Sequence, residues 1–478
     1  MIFNSIAFIT FFLFFFLFYW LVFAKSLKLQ NLLLLAGCYF FYAWWDWRFL
    51  FVMIAYSMFN YKLGLYISKS TTNKKKHYLT LLASVVSIGL LGYFKYTNFF
   101  ISSFVSAFAG LHVSSDSHII NIVLPLGISF YTFRTLSYIY DIKNGKIKPT
   151  DDWVVFFSFV AFFPCVVSGP IDRARNFIPQ LQNKRTFDYN KAIDASRQIL
   201  WGLFKKIVIA DKLALLTTYV YSDYSKFRGS ALLLIAIYYS FQLYADFSGY
   251  SDMAIGISKL LGFEVAKNFD FPFFSQNIAD FWRRWHISLT GWLTEYVFTP
   301  VSISLRDYGK LGLIIAILTN LTVIGIWHGA NWTYFAFGLL HGIFFIPLIL
   351  NGTMNKKKKV NPNKLFPGFS ESLNMLVTFM LVTFSFILFR SANLAQAFDY
   401  FKKICSSTLF SFPVGVSLRI VPVIILFIIA EWLQRNKPFT LHINNLNPYL
   451  RLGIYYLLVF AIFKYSSAQV TQFIYLKF

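Results

Sequence analysis

Long apolar stretches broken by short basic clusters set the pattern of this chain. Lys25 and Lys28, then Lys69 with Lys74, Lys75 and Lys76, then Lys143, Lys146 and Lys148 punctuate its first third. Placing these clusters on the cytoplasmic side, as the positive-inside rule directs, puts the N-terminus outside. Spans are then predicted near residues 2–24, 29–45, 48–68, 79–98 and 121–140, with an outside loop around Ser114 to His118. The first of these has no charge, no basic start and no small-residue cleavage site, so it reads as a retained anchor. Trp153 to Val167 is apolar but short and runs into Ser168-Gly169-Pro170. Because the stretch from Arg173 to Arg185 is basic again, this segment is predicted to enter and leave by one face, as a re-entrant helix. Later spans fall near 193–220, 231–256, 311–327, 332–350, 373–390, 416–434 and 450–471, with Lys356 to Lys359 in another cytoplasmic loop. The pattern predicts about 11–12 crossings at about 20 residues each, and no internal repeat is visible.

Composition removes the soluble alternatives. The 478 residues are 57% hydrophobic and 13% charged, against roughly 25% charged in a soluble domain. The fold class expected is an all-α polytopic membrane protein, a single domain over residues 1–478. The net charge of +24 fits cytoplasmic loops facing the anionic lipid of a bilayer, and no soluble basic domain exists to hold nucleic acid. Cys38, Cys165 and Cys405 lie far apart in apolar context, which points to packing and to neither disulfide nor metal.

Three places carry candidate chemistry. From Leu311 to Asn355 there is no Asp, Glu, Lys or Arg. The run is long enough for two crossings, and Ile326-Trp327-His328-Gly329-Ala330-Asn331-Trp332 lies near their junction. An ionisable side chain at membrane depth is a functional-site hypothesis by default, although a hydrogen-bonded core histidine explains a lone one equally well. The second place is 268–300. Ile278, Phe281, Trp282, Trp285, Leu289 and Trp292 fall on one helical face there. Asp280 and Arg284 are spaced to pair, and Arg283 and His286 share one flank. That predicts an amphipathic helix along the cytoplasmic boundary, either an anchor or a place where Arg283 meets an anionic donor. The third place is Tyr244 to Asp252, where Asp246, Gly249 and Asp252 interrupt a span. Those carboxylates are expected to face a polar interior or to pin a broken helix.

Together, Leu124-Pro125-Leu126-Gly127-Ile128-Ser129-Phe130, Tyr244 to Asp252, Asp280 to Leu289, and Trp327-His328-Gly329-Ala330 resemble the membrane-bound O-acyltransferases. The likeness is to the bacterial branch that acts in alginate O-acetylation, teichoic acid D-alanylation and peptidoglycan O-acetylation, and it covers essentially the whole chain. The closing Phe473 to Phe478 is similar too. The chain departs from many members after Leu293, where Phe298-Thr299-Pro300-Val301 stands in place of a Pro-Leu-Gly-Gly loop.

The resemblance implies a ring of helices around a central funnel, with His328 as the embedded catalytic histidine and His286 as the second one. It also implies transfer of an acyl group, acetyl as the first expectation, from a cytoplasmic thioester to a hydroxyl at the outer face. The donor is expected to be acyl-CoA or an acyl carrier protein, with no bound cofactor. The partner is expected to be an outer-side hydrolase-like protein of the SGNH type or a small membrane peptide, and the acceptor a cell-surface or periplasmic polysaccharide. In this reading Arg283 and Arg284 meet donor phosphates. Trp327 and Trp332 wall the site, Asn331 orients the imidazole or holds the carbonyl oxygen, and a neutral His328 takes the hydroxyl proton. Two other classes share the polytopic plan: a flippase or transporter of a lipid-linked glycan, and a scaffold without chemistry.

Overall fold

The computed structural model describes residues 1–107, 122–356, 364–466 and 473. The loop expected around Ser114 to His118, the lysines 357–359 and the aromatic terminus beyond Phe473 lie outside them. The described residues are helical, with no strand among them. They form two compact units, one of residues 1–195 with 257–266 and one of 196–256 with 267–478.

The first unit is built from α1 (Ile6–Leu17), α2 (Leu27–Ala43), α3 (Trp47–Lys69), α4 (Asn73–Ala107), α5 (Ile128–Lys143), α6 (Trp153–Ala161), α7 (Phe163–Val166) and α8 (Ala174–Gln182). Polar residues placed where the pattern changes start these helices. Ser26 caps α2, Asp46 caps α3, and Asp152 accepts from the amide of Val154 at 2.8 Å at the start of α6. Such caps satisfy amides that have no partner within the helix. The short segment breaks as expected, though earlier than the Gly-Pro pair. Phe162 leaves helical geometry at ψ 102°, and α7 restarts with Pro164 in its first turn. The freed amide of Phe163 donates to Cys38 Sγ at 3.4 Å inside a cluster of Phe8, Phe11, Phe15 and Phe41. Broken backbone is thus buried in protein, which is the only way it survives at membrane depth.

The boundary between the units falls within α9 (Tyr189–Phe204). The predicted span over 193–220 is not one helix. A π-helical segment at Lys205–Ala210 separates α9 from α10 (Asp211–Ser222). By contrast α11 (Gly229–Leu260) is continuous through Asp246, Gly249 and Asp252, so the break expected there is absent. The chain continues through α12 (Ile278–Arg284), α13 (Ile287–Leu293), α14 (Thr299–Ser304), α15 (Gly309–His328) and α16 (Trp332–Leu350). The last helices are α17 (Phe369–Arg390), α18 (Leu394–Ile404), α19 (Val421–Leu433) and α20 (Pro448–Tyr465). α15 and α16 form a tight antiparallel hairpin. A Cβ on Gly325 would stand 2.2 Å from the carbonyl oxygen of Tyr334, and one on Gly338 would stand 2.4 Å from that of Leu321. Only glycine permits backbones this close.

Six of the described helices are long and apolar enough to cross a membrane: α3, α4, α11, α15 with the turn before it, α16 and α17. Three shorter apolar helices, Ile6–Val22, Leu27–Ala43 and Val421–Leu433, stand beside them. That is fewer than the 11–12 crossings the hydropathy pattern predicted. α5, for instance, is a helix of 16 residues buried along nearly its whole length within the protein. Exposed apolar faces elsewhere, such as Leu457, Phe460 and Phe463 on α20, suit contact with lipid. The chain is an all-α polytopic membrane protein.

Candidate functional site

The uncharged run folds as the α15–α16 hairpin, and His328 is the last residue of α15. Gly329 turns the chain in extended geometry, and Asn331 starts α16 by accepting from the amide of Thr333 at 3.0 Å. The Asn331 amide nitrogen donates to the carbonyl of Ala392 at 2.7 Å. Both ends of that side chain therefore fasten the turn, and neither of these bonds goes to the imidazole. Trp332 is 52% exposed and meets Phe335. The walls are Trp327, Phe389 and Phe337, with ring centroids 5.0, 5.0 and 6.4 Å from that of His328.

Trp327 also joins His328 to the second histidine. Its indole packs edge-on to His286 at 5.6 Å, while Phe247 packs on His286 at 4.6 Å. Both histidines are buried. The helix predicted through 278–292 is in fact two helices, because Trp285 is extended and His286 is left-handed at φ 46°. The apolar stripe survives the break, since Ile278, Phe281, Trp282, Trp285, Leu289 and Trp292 are all buried. What opens the helix is an extended strip before it. The carbonyl of Asn268 accepts from the amide of Ile287 at 2.9 Å, and the amide of Asp270 donates to the carbonyl of Arg284 at 2.9 Å. The Asn268 side chain fills the notch by holding His286 Nδ1 at 3.0 Å. Burial pushes the His286 imidazole down to about 3, so the ring is neutral.

The two arginines part company. Arg284 donates to Asp280 Oδ2 at 3.1 Å and to the carbonyl of Asp270 at 3.4 Å, which ties α12 to the strip before it. Arg283 donates to the carbonyl of Met354 at 3.2 Å. Its Nη2 has no hydrogen-bond partner among the described residues, and its side chain is one-third exposed. Arg283 therefore keeps one buried donor unused, while two of the Arg284 nitrogens are engaged.

Asp246 and Asp252 face buried lysines that sequence reasoning passed over. Lys206 bridges Asp246 at 2.7 Å and Asp211 at 2.9 Å. Lys205 meets Asp252 at 2.6 Å and Ser248 at 2.9 Å. The π segment at Lys205–Ala210 turns both lysines toward α11, and Gly202 and Gly249 let the backbones touch. The missed signal was a pair of lysines and an aspartate inside a predicted span, which only a polar interior tolerates. A cavity of about 30 Å³ beside this cluster, lined in part by Tyr244, Lys267 and Glu431, has room for one or two waters. It is far too small for an acyl donor. A cavity of about 400 Å³ belongs to the first unit, lined by Lys184, Arg185 and Lys259 among others, and includes none of the motif residues. Among the described residues no cluster of three His, Cys, Asp or Glu side chains has the makings of a metal site.

His341 is a further buried histidine, on α16. It lies at 5.1 Å from Trp282 and 4.6 Å from Phe337. Its Nδ1 accepts from the indole of Trp282 at 3.2 Å, and its Nε2 stands 2.8 Å from Ser385 Oγ. It is a satisfied core residue.

Residues 51–357 match the membrane-bound O-acyltransferase family. The chain is 37% identical over 415 residues to a probable alginate O-acetylase, AlgI, of Pseudomonas aeruginosa, covering 85% of this chain and 75% of that protein. It is 32% identical over 435 residues to the peptidoglycan O-acetyltransferase of Helicobacter pylori, covering 84% and 79%. It is 31% identical over 285 residues to the teichoic acid D-alanyltransferase of Streptococcus thermophilus, covering 55% and 68%. The chain belongs to the membrane-bound O-acyltransferase family and is an acyltransferase.

Proposed function

We propose that this enzyme moves an acyl group, acetyl first, from a cytoplasmic thioester to a hydroxyl at the outer face of a bacterial cytoplasmic membrane. The observation that carries this reading is the pair of buried histidines on either side of Trp327. Relatives named as a probable alginate O-acetylase and a peptidoglycan O-acetyltransferase support a cell-surface or periplasmic polysaccharide as the acceptor. Delivery runs through a partner of hydrolase-like or small-peptide type.

The chemistry asked of the site is modest. His328, neutral among aromatic walls, takes the proton of the attacking hydroxyl as its oxygen bonds to the thioester carbonyl carbon. The carbon–sulfur bond then breaks, and the proton passes to the departing thiolate. General base catalysis of this kind contributes about 10²–10⁴-fold. The aromatic walls exclude water, which otherwise hydrolyses the thioester. Arg283 offers its open donor to a phosphate of acyl-CoA or of a carrier protein's prosthetic arm.

The test is transfer from radiolabelled acetyl-CoA by purified protein in lipid vesicles, wild type beside His328→Ala. Label moved or hydrolysed by the wild type alone supports the reading. Equal label in both overturns the role of His328. Label in neither, with a charged carrier protein tried as well, overturns the proposal that the chain acts on a thioester without its partner.

A further inference from the structure

Two of the buried histidines are wired in opposite senses. An indole nitrogen only donates, so Trp282 Nε1 at 3.2 Å fixes His341 Nδ1 as the acceptor. His341 Nε2 then bears the proton and donates to Ser385 Oγ at 2.8 Å. The serine proton goes on to the carbonyl of Val382 at 2.7 Å. Every polar atom of that ring is used.

His286 is the reverse case. The amide of Ser288, which only donates, points at the Asn268 side-chain atom that also meets His286 Nδ1, at 3.4 Å. The Ser288 hydroxyl approaches the same atom at 2.9 Å. That atom is therefore the Asn268 oxygen, and the amide nitrogen is free to donate to Ser251 Oγ at 3.1 Å. A ring nitrogen facing this oxygen at 3.0 Å must donate. A neutral imidazole has a single N–H, so the proton is on Nδ1 and the lone pair on Nε2. Nε2 is buried and has no hydrogen-bond partner among the described residues. Buried polar atoms are rarely left so. The ring is also held in a left-handed backbone at φ 46°, a conformation that a side chain of this size adopts only under strain.

We propose that Asn268 is a positioning residue that, with Ser288, locks His286 in its Nδ1-protonated form, so that Nε2 is presented as a hydrogen-bond acceptor to a substrate hydroxyl or thiol. This inference rests on the acyl-transfer reading and goes beyond it. It assigns the tautomer of the second histidine and the residue that sets it. Asn268 reaches across the break between α12 and α13, so the helix break and the tautomer have one cause. Phe247 and Trp327 clamp the ring from other helices. The charged groups on the neighbouring elements are committed elsewhere: Asp246 to Lys206, Asp252 to Lys205, and Asp280 to Arg284. A neutral amide is thus what decides which nitrogen is protonated.

Two readouts test this on the full-length protein in nanodiscs. The first is nitrogen NMR of histidine-labelled protein, with the His286 signals identified by their loss in His286→Asn. Wild type is expected to show a protonated Nδ1 and a bare Nε2, and Asn268→Ala to lose that pattern. The second is acetyl transfer measured as kcat and KM. Asn268→Ala is expected to lower kcat by about 10²-fold or more, as a wrong tautomer does elsewhere, with KM nearly unchanged. His286→Gln, which can place an amide oxygen near the Nε2 position, is expected to retain more activity than His286→Asn. A purely structural histidine predicts the opposite order, because His286→Asn keeps the bond to Asn268. If Asn268→Ala folds poorly, Ser288→Ala removes one anchor of the same oxygen and is expected to lower kcat by a smaller factor. A wild-type His286 protonated on Nε2, or full activity in Asn268→Ala while wild type transfers label, overturns the inference and leaves the acyl-transfer reading standing. A wild type that transfers from neither thioester overturns both.

Discussion

Two polar clusters lie in the same unit and are completed in opposite ways. Around the π segment, buried charges meet their opposites, with Lys206 between Asp246 and Asp211 and Lys205 against Asp252. Around Trp327 the buried groups are rings packed against aromatic walls, and at least one acceptor, His286 Nε2, is held open. Each charge of the first cluster would cost several kcal/mol alone, and pairing removes that cost within the protein. In the second cluster the His286 ring is uncharged and so avoids ionic desolvation, and it reserves a polar atom for something the protein does not supply. The difference separates scaffold from chemistry where burial alone does not.

The largest expected effect belongs to His328. His328→Ala lowers the transfer rate per folded molecule by about 10²–10⁴-fold, well beyond what the loss of a few kcal/mol of stability from the cavity of a deleted buried ring explains. Lys206→Met gives the mirror image. It strands Asp246 and Asp211 and destabilises the fold by about 3–5 kcal/mol, read as a lower melting temperature in detergent. The double variant Lys206→Met with Asp246→Leu is expected to recover part of that loss.

His341→Phe removes two hydrogen bonds and costs about 1–3 kcal/mol, while the rate per folded molecule changes by only a few-fold. The arginines split on a smaller scale. Arg283→Ala raises the donor KM and leaves stability in place. Arg284→Ala loses the partly exposed pair with Asp280, a stability change of about 0.5–1 kcal/mol, and leaves KM alone. Trp332→Ala, at an exposed position, stays within about 0.5 kcal/mol and at wild-type rate. Equal KM shifts in both arginine variants would contradict the separation drawn between them.

Acid sharpens the comparison from another side. The unfolded chain protonates His286 near 6.5, whereas the buried ring resists protonation down to about 3. Below the upper value the unfolded state therefore binds the extra proton, and stability falls as the pH is lowered through that window. His286→Gln is expected to flatten this part of the stability profile, measured by thermal melts across the acid range.

Much of this was legible in the residues. The absence of charge from Leu311 to Asn355 predicted the hairpin and placed His328 at its turn. The helical stripe through Ile278 and Trp292 was legible as a buried face, but not as two helices. An apolar stripe is preserved across a short break when both halves bury the same side, so periodicity cannot register an Asn268 that comes from before the helix. Lys205 and Lys206 were hidden for a related reason. Their partners at Asp246 and Asp252 are far along the chain, and only the fold pairs them. Asn331 and Trp332 took their expected roles from standing next to a histidine in sequence, yet a helix cap and an exposed face settle where they point.

The central claim is that the rings around Trp327 do the chemistry and the lysine–carboxylate cluster holds the frame. Measuring acetyl transfer and thermal unfolding on the same reconstituted preparations of His328→Ala and Lys206→Met tests it most directly. The account predicts a folded protein that is silent per folded molecule in the first, its melting temperature lowered only as a deleted buried ring lowers it, and a lowered melting temperature with a near-normal rate per folded molecule in the second. A His328→Ala protein that transfers label at the wild-type rate, or that loses activity only in step with its stability, would contradict it.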